Sequence, residues 1–156
     1  MFGPAFLHAA ALLIVAVVSG WMAAVAFARP HVPGGRAFGW MNVAMGWWCL
    51  TGALHAVPQG PDVRLLWAKM QLAGIAAVPP LWLVFAANYA RAPWTRIRAT
   101  RRVLGIVGIL MVATAATNAQ HHLYWAGVTQ AGDRVVYHHG PLFWAAVVWD
   151  YGLIGA

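Results

Sequence analysis

Three acids and one lysine stand in the whole sequence: Asp62, Asp133, Asp150 and Lys69. Asp150 and Lys69 both fall inside long apolar runs. A carboxylate at the centre of a lipid-facing helix costs about 2.5–3.5 kcal/mol on insertion scales, so it is protonated, paired or turned to a water-filled cavity. Asp150 lies about nine residues into the last apolar run, which at 1.5 Å per residue puts it roughly 13 Å deep. Lys69 lies about 9 Å down an earlier run by the same rise. That depth match predicts an ion pair between the two, with Asp150→Asn partly rescuing Lys69→Met. The alternatives are a purely structural lock or an Asp150 turned to a partner subunit. Gln71 is close to Lys69 in the sequence, and Tyr151 follows Asp150. Asp150, Lys69, Gln71, His121, His122 and Tyr151 are therefore the candidate ligand-binding residues.

Two histidine pairs, His121-His122 and His138-His139, lie in one polar stretch. Imidazole suits zinc and copper. Neighbouring residues on a strand face opposite ways, so at most one histidine of each pair meets the other. Metal sites of this kind need three or four ligands. The pairs read as ordinary interfacial histidines, with a metal site at His121, His122, His138 and His139 as the alternative. His8 and His55 share a similar depth and could in principle ligate a haem, but no supporting motif accompanies them. A retinal pigment needs a lysine on a late helix, and Lys69 is on the third. No cofactor is expected. Paired carboxylates, a nucleophile–base set and a nucleotide loop are missing from the sequence, so an enzyme is not expected.

The elements that would position these groups are membrane helices. The chain has 156 residues, 62% hydrophobic and 8% charged, where a soluble domain carries about 25% charged. Lipid must be its solvent. Ten Lys and Arg against three acids could suggest nucleic acid, but the cations sit at the ends of apolar runs and read as topology and headgroup contacts. The ten Trp fit membrane interfaces. Cys49 is the sole cysteine, so no disulfide forms within the chain. The first run lacks a preceding basic segment and is too long for a signal core.

Apolar runs predict an all-α bundle of about five spanning helices in a single unit over 1–156, near 6–27, 37–57, 63–89, 103–117 and 141–156, with an outer loop at 118–140. Arg91, Arg96, Arg98, Arg101 and Arg102 crowd one short loop. Cationic loops stay cytoplasmic, which places the N-terminus outside and the arginine loop inside. The arginines also suit anionic lipid. Pro79 and Pro80 remove two donors from the third helix, freeing the carbonyls of Ile75 and Ala76, and mark a hinge or packing kink. Within the outer loop, β-branched and aromatic residues flank Gln130-Ala-Gly-Asp133, predicting a β-hairpin between helices four and five. Gly105 and Gly108 allow close helix approach. The fifth run is still apolar at Ala156, which suggests a chain that continues.

The order Pro79-Pro80-Leu-Trp82-Leu-Val-Phe85-Ala-Ala-Asn-Tyr89, the basic loop, Thr117-Asn118-Ala-Gln-His121-His122-Leu-Tyr-Trp125 and Gly140-Pro141-Leu-Phe143-Trp144 with Tyr151 resembles the N-terminal seven-transmembrane sensor region of bacterial histidine kinases. The resemblance spans about 65–151. It implies an outside N-terminus, seven helices and a cytoplasmic signalling domain beyond them. Asp150 departs from that pattern, where an uncharged residue is expected. Two functions follow. One is a sensory input region taking an external small molecule, ion or lipid. The other is an accessory subunit of a larger respiratory or photosynthetic assembly. Expected partners are membrane lipids and other membrane subunits or a second copy, and not nucleic acid.

Overall fold

The computed structural model describes residues 3–57, 59–93, 98–131 and 134–155. The elements run α1 (Pro4–Phe27), α2 (Gly35–Ala56), α3 (Pro61–Tyr89), α4 (Arg98–Ala116), a single turn α5 (Asn118–His121), β1 (Trp125–Ala131), β2 (Arg134–His139) and α6 (Pro141–Ile154). Three helices, Pro4–Phe27, Pro61–Tyr89 and Ala99–Ala116, are long and apolar enough to cross a membrane. Pro141–Ile154 is apolar but shorter.

Gly-Pro opens three of these helices: Gly3-Pro4, Gly60-Pro61 and Gly140-Pro141. Proline at the first helical position lacks only a donor that has no partner there, and its fixed φ suits the helix. α4 already includes Arg98 to Arg102 ahead of the apolar segment at Val103, because arginine is a good helix former and nothing among these residues breaks the helix. α6 ends at Ile154.

α3 is the axis of the bundle. It packs against α2, α4 and α6, while α1 packs on α2. Close approach depends on missing side chains. A Cβ on Gly74 would stand 2.7 Å from the Ala44 carbonyl oxygen and 2.8 Å from the Trp48 Cβ, so α2 and α3 meet there only because the side chain is absent. The double proline does not interrupt α3, which runs unbroken from 61 to 89 with Pro79 and Pro80 buried. Pro80 withholds the donor that Ala76 would receive. Gly108 of α4 packs over that same carbonyl, where an added Cβ would lie at 3.5 Å. A neighbouring helix thus covers the freed oxygen, one of the ways membrane helices tolerate proline. Elsewhere in the bundle, Thr51 donates to the Trp47 and Trp48 carbonyls at 2.8 and 3.1 Å, and Trp47 donates its indole N–H to the Met70 carbonyl at 2.8 Å.

The hairpin between α4 and α6 is antiparallel, with Val128 opposite Tyr137, Thr129 opposite Val136 and Trp125 opposite His139. A register shift between Trp125 and Gly127 turns the strand at its base. The inner face carries Trp125, Tyr137 and His139, and the main core cluster forms beneath it from Leu72, Ala115, Tyr124, Trp125 and Ala146. Edge-to-face rings tie it down: Tyr124 to Trp125 at 5.1 Å and Tyr124 to Phe143 at 5.8 Å. His139 stacks on Phe143 at 3.7 Å.

Asn118 clamps the root of the hairpin. Its Oδ1 accepts from the backbone N–H of Tyr124 at 2.8 Å and of Trp125 at 3.0 Å, and its Nδ2 donates to the Trp125 carbonyl at 2.9 Å. All three partners are buried, so the side chain replaces water that cannot reach them. Asn118→Ala leaves two buried N–H groups unpaired and is expected to cost about 2–4 kcal/mol of hairpin stability. Amide exchange across 124–139 should then accelerate by about thirtyfold or more. Asn118→Asp, which keeps the acceptor, should cost less.

Candidate functional site at the hairpin rim

The chain has two unlike ends. Arg29, Val32, Phe38, Phe85 and Tyr89 come together at one end, joined by the C-terminus of α3 and the start of α2. Arg91, Arg101 and Arg102 belong to the same rim, at the turn out of α3 and the first turn of α4. Arg96 lies outside the described residues, and of Arg98 only the backbone is described. At the opposite end stand the hairpin and the Gly-Pro starts of α1, α3 and α6.

At this hairpin rim α1, α2 and α3 line a half-open cavity of about 920 Å³. Its polar lining is His8, His55, Arg64 and Gln71, and its apolar lining includes Leu12, Val15, Met45 and Trp48. Three of the four polar groups lie near one level, on three different helices. His8 is one turn into α1, His55 is in the last turn of α2, and Arg64 is in the first turn of α3. Gln71 is seven residues beyond Arg64, which returns it to the same helix face about two turns deeper. Gly52 makes room for it: a Cβ there would lie 2.9 Å from the Gln71 Nε2 and 3.3 Å from Leu12. The volume falls within the roughly 300–1,000 Å³ of small-molecule sites.

The cavity is wired to the hairpin. The His55 Nε2 and the Tyr137 hydroxyl form a hydrogen bond of 3.1 Å. Burial pushes the Tyr137 phenol up from its ordinary value, while the Arg64 guanidinium nearby opposes that rise. Tyr137 packs on Trp125 at 5.9 Å, Trp125 on Tyr124, and Tyr124 on Phe143 of α6. The Tyr124 phenol, pushed up to about 12 chiefly by burial, stays neutral in that stack.

The sequence-based candidates divide. Gln71 lines the cavity. Lys69 does not pair with Asp150. It donates to the Ala116 carbonyl at 3.3 Å, at the C-terminus of α4, where a helix end attracts cations. Matching depth fixed how far down each residue lies but not which way it points around its helix. Asp150 is buried, 9% exposed, with its Oδ1 unpartnered among the described residues. The neighbouring Trp149 Nε1 is buried and unpartnered as well. Tyr151 is 72% exposed and points away from the bundle.

His121 is committed to its own turn. Its Nδ1 accepts from the Leu123 N–H at 3.0 Å, which puts the proton on Nε2, 3.3 Å from the Thr117 hydroxyl. His122 is exposed with a left-handed φ of 54°. His138 bonds the Thr129 hydroxyl at 3.0 Å on the outer strand face, while His139 faces in. No three His, Cys, Asp or Glu among the described residues gather as metal ligands.

Sequence reasoning missed Arg64, Tyr137 and Asn118 as functional or clamping groups. The i, i+7 spacing of Arg64 and Gln71 and the i, i+2 spacing of Tyr137 and His139 were the signals that place each pair on one face.

Because Lys69 and Asp150 have separate surroundings, Lys69→Met and Asp150→Asn should act independently. A double-mutant cycle on unfolding in mixed micelles is expected to close within about 0.5 kcal/mol. A larger coupling energy would restore the ion pair.

The family model described as the N-terminal 7TM region of histidine kinase matches residues 11–156. No curated protein and no solved structure matches the chain. The match takes in α1 from residue 11 onward, the other helices and the hairpin, but not Pro4, Ala5 and His8 of the cavity wall, and the chain belongs to the family of N-terminal seven-transmembrane sensory regions of histidine kinases.

Proposed function

We propose that this chain is a sensory input region of a bacterial inner membrane, with the hairpin rim outside and the arginine rim in the cytoplasm. Five helices, α1 to α4 and α6, cross or enter the bilayer in this reading. The sidedness rests on the arginine excess at one rim. The hairpin-rim cavity is the site that reads the outside, and the chain performs no chemistry of its own. Phosphoryl transfer belongs to the signalling domain that such regions serve.

One observation carries the reading: the hydrogen bond from His55, in the cavity wall, to Tyr137 on the inner face of the hairpin. A ligand between α1 and α2 competes for or reorients His55. Tyr137 then shifts on Trp125, and the aromatic stack passes the change to Phe143 and α6. The bistable element is the hairpin seated on α6, and the differential contact is at His55. Asp150 and Trp149, lower on α6, are two buried polar atoms whose surroundings such a movement would change.

Coupling can be tested without knowing the ligand. Gly52→Val places bulk against Gln71 and Leu12 and fills the cavity from within. Deuterium uptake in β1 and β2 should change in that variant, and the change should vanish when Tyr137→Phe is added. Thermal melting of both variants separates this effect from unfolding. Identical hairpin uptake in Gly52→Val and the parent protein would contradict the coupling.

A further inference from the structure

Another half-open cavity, of about 660 Å³, lies along the seam between α3 and α4, apart from the hairpin rim. Ala76, Ala77, Gly105 and Gly108 hollow it out, with Leu81 and Ile109 beside them. Its shape is a groove. On α4 the lining runs from Arg101 to Ala113 and on α3 from Val84 back to Ala73, which gives a length of about 17 Å at 1.5 Å per residue. The hydrocarbon core of a bilayer is about 30 Å thick, so the chains of one leaflet reach about 15 Å. The groove therefore spans one leaflet, from the arginine rim to near mid-membrane.

Its width selects further. A volume of about 660 Å³ over that length leaves a mean cross-section of about 40 Å², roughly half that of a helix about 10–12 Å across with its side chains. Extended hydrocarbon fits such a slot and a whole helix does not. Arg101 carries the polar group of the lining and stands at the mouth; below it the lining among the described residues is apolar. Water finds no hydrogen-bonding side chains along that descent.

The mouth is cationic. Residues 91–102 hold five arginines and no acid, and the three acids of the chain, Asp62, Asp133 and Asp150, lie elsewhere. Arg101 also has an interaction within the chain, so the attraction belongs to the rim as a whole and not to one unpaired side chain. Arg102 beside it is exposed. Long basic side chains lay their stems on apolar surface and hold their heads at the interface. There they attract anionic lipid.

We propose that this groove holds an anionic phospholipid of the leaflet at the arginine rim, its acyl chains along Ala77, Gly105 and Ile109 and its headgroup among the arginines. Length and width call for hydrocarbon, and charge calls for the anionic head. Such a site is independent of which side of the membrane the arginine rim faces and of what the hairpin-rim cavity takes.

Gly105 offers the test. A Cβ there meets nothing within 4 Å, and the same holds for the exposed Gly20 of α1. Gly105→Leu therefore fills the groove without a clash, and Gly20→Leu puts the same bulk on lipid-facing surface elsewhere. The full chain in detergent is given equal amounts of phosphatidylglycerol and phosphatidylcholine with identical acyl chains, and bound lipid is counted by native mass spectrometry. The expected result is one phosphatidylglycerol retained per chain, at least about fivefold over phosphatidylcholine, the preference of a single arginine near an anionic lipid surface. Gly105→Leu should lose it and Gly20→Leu should keep it. Equal retention of the two lipids, no retained lipid, or the same retention in Gly105→Leu as in the parent protein would overturn the proposal. So would loss in both variants, or a dimer of the chain in place of bound lipid. The comparison of the two lipids on the parent protein decides the matter even if Gly105→Leu folds poorly.

Discussion

In an apolar solvent every polar group must find its partner inside the chain, and that constraint shapes this molecule more than any single contact. Thr51 turns its hydroxyl back onto its own helix, Trp47 reaches across to α3, and Gly108 covers the carbonyl that Pro80 leaves free. Asn118 satisfies three buried backbone atoms at once and so fixes where the hairpin begins. Where the rule is obeyed, the polar atoms hold structure. Where polar side chains instead line open volume, as His8 and Gln71 do, they can meet something from outside the chain.

This division explains why the cavity rather than the buried charges is the candidate site. Lys69 is spent on the end of α4. His121 is spent on its turn, and His138 on the outer strand face. Asp150 keeps an unpartnered oxygen but lies on α6, away from the cavity wall. The hairpin joins the two halves of the molecule. Through Tyr137 it touches α2, and through Tyr124 and His139 it rests on α6.

Much of the fold was legible in the sequence. The apolar runs located the long helices, because a chain dissolved in lipid writes its spans as hydrophobic length. The turn residues near Asp133, between two β-branched and aromatic segments, located the hairpin. Helix ends were read less well. Arg98 to Arg102 belong to α4 because solvated arginines extend a helix that hydropathy alone cuts short. The site was legible only in part. Gln71 was singled out for its closeness to Lys69, and the structure places it instead beside Gly52 and the histidines of α1 and α2. Depth along a helix can be counted from a sequence. The azimuth that decides whether Lys69 faces α4 or α6 depends on packing, and the small residues that set that packing are common throughout this chain.

The account depends on the two rims facing opposite sides of the membrane. Reporters fused within the loop between Arg91 and Arg98, and separately after Gly60, decide this directly. Fluorescent protein that lights up in the arginine loop, with alkaline phosphatase active only at the Gly60 junction, is the predicted outcome. Active phosphatase in the arginine loop would turn the cavity toward the cytoplasm and contradict the account.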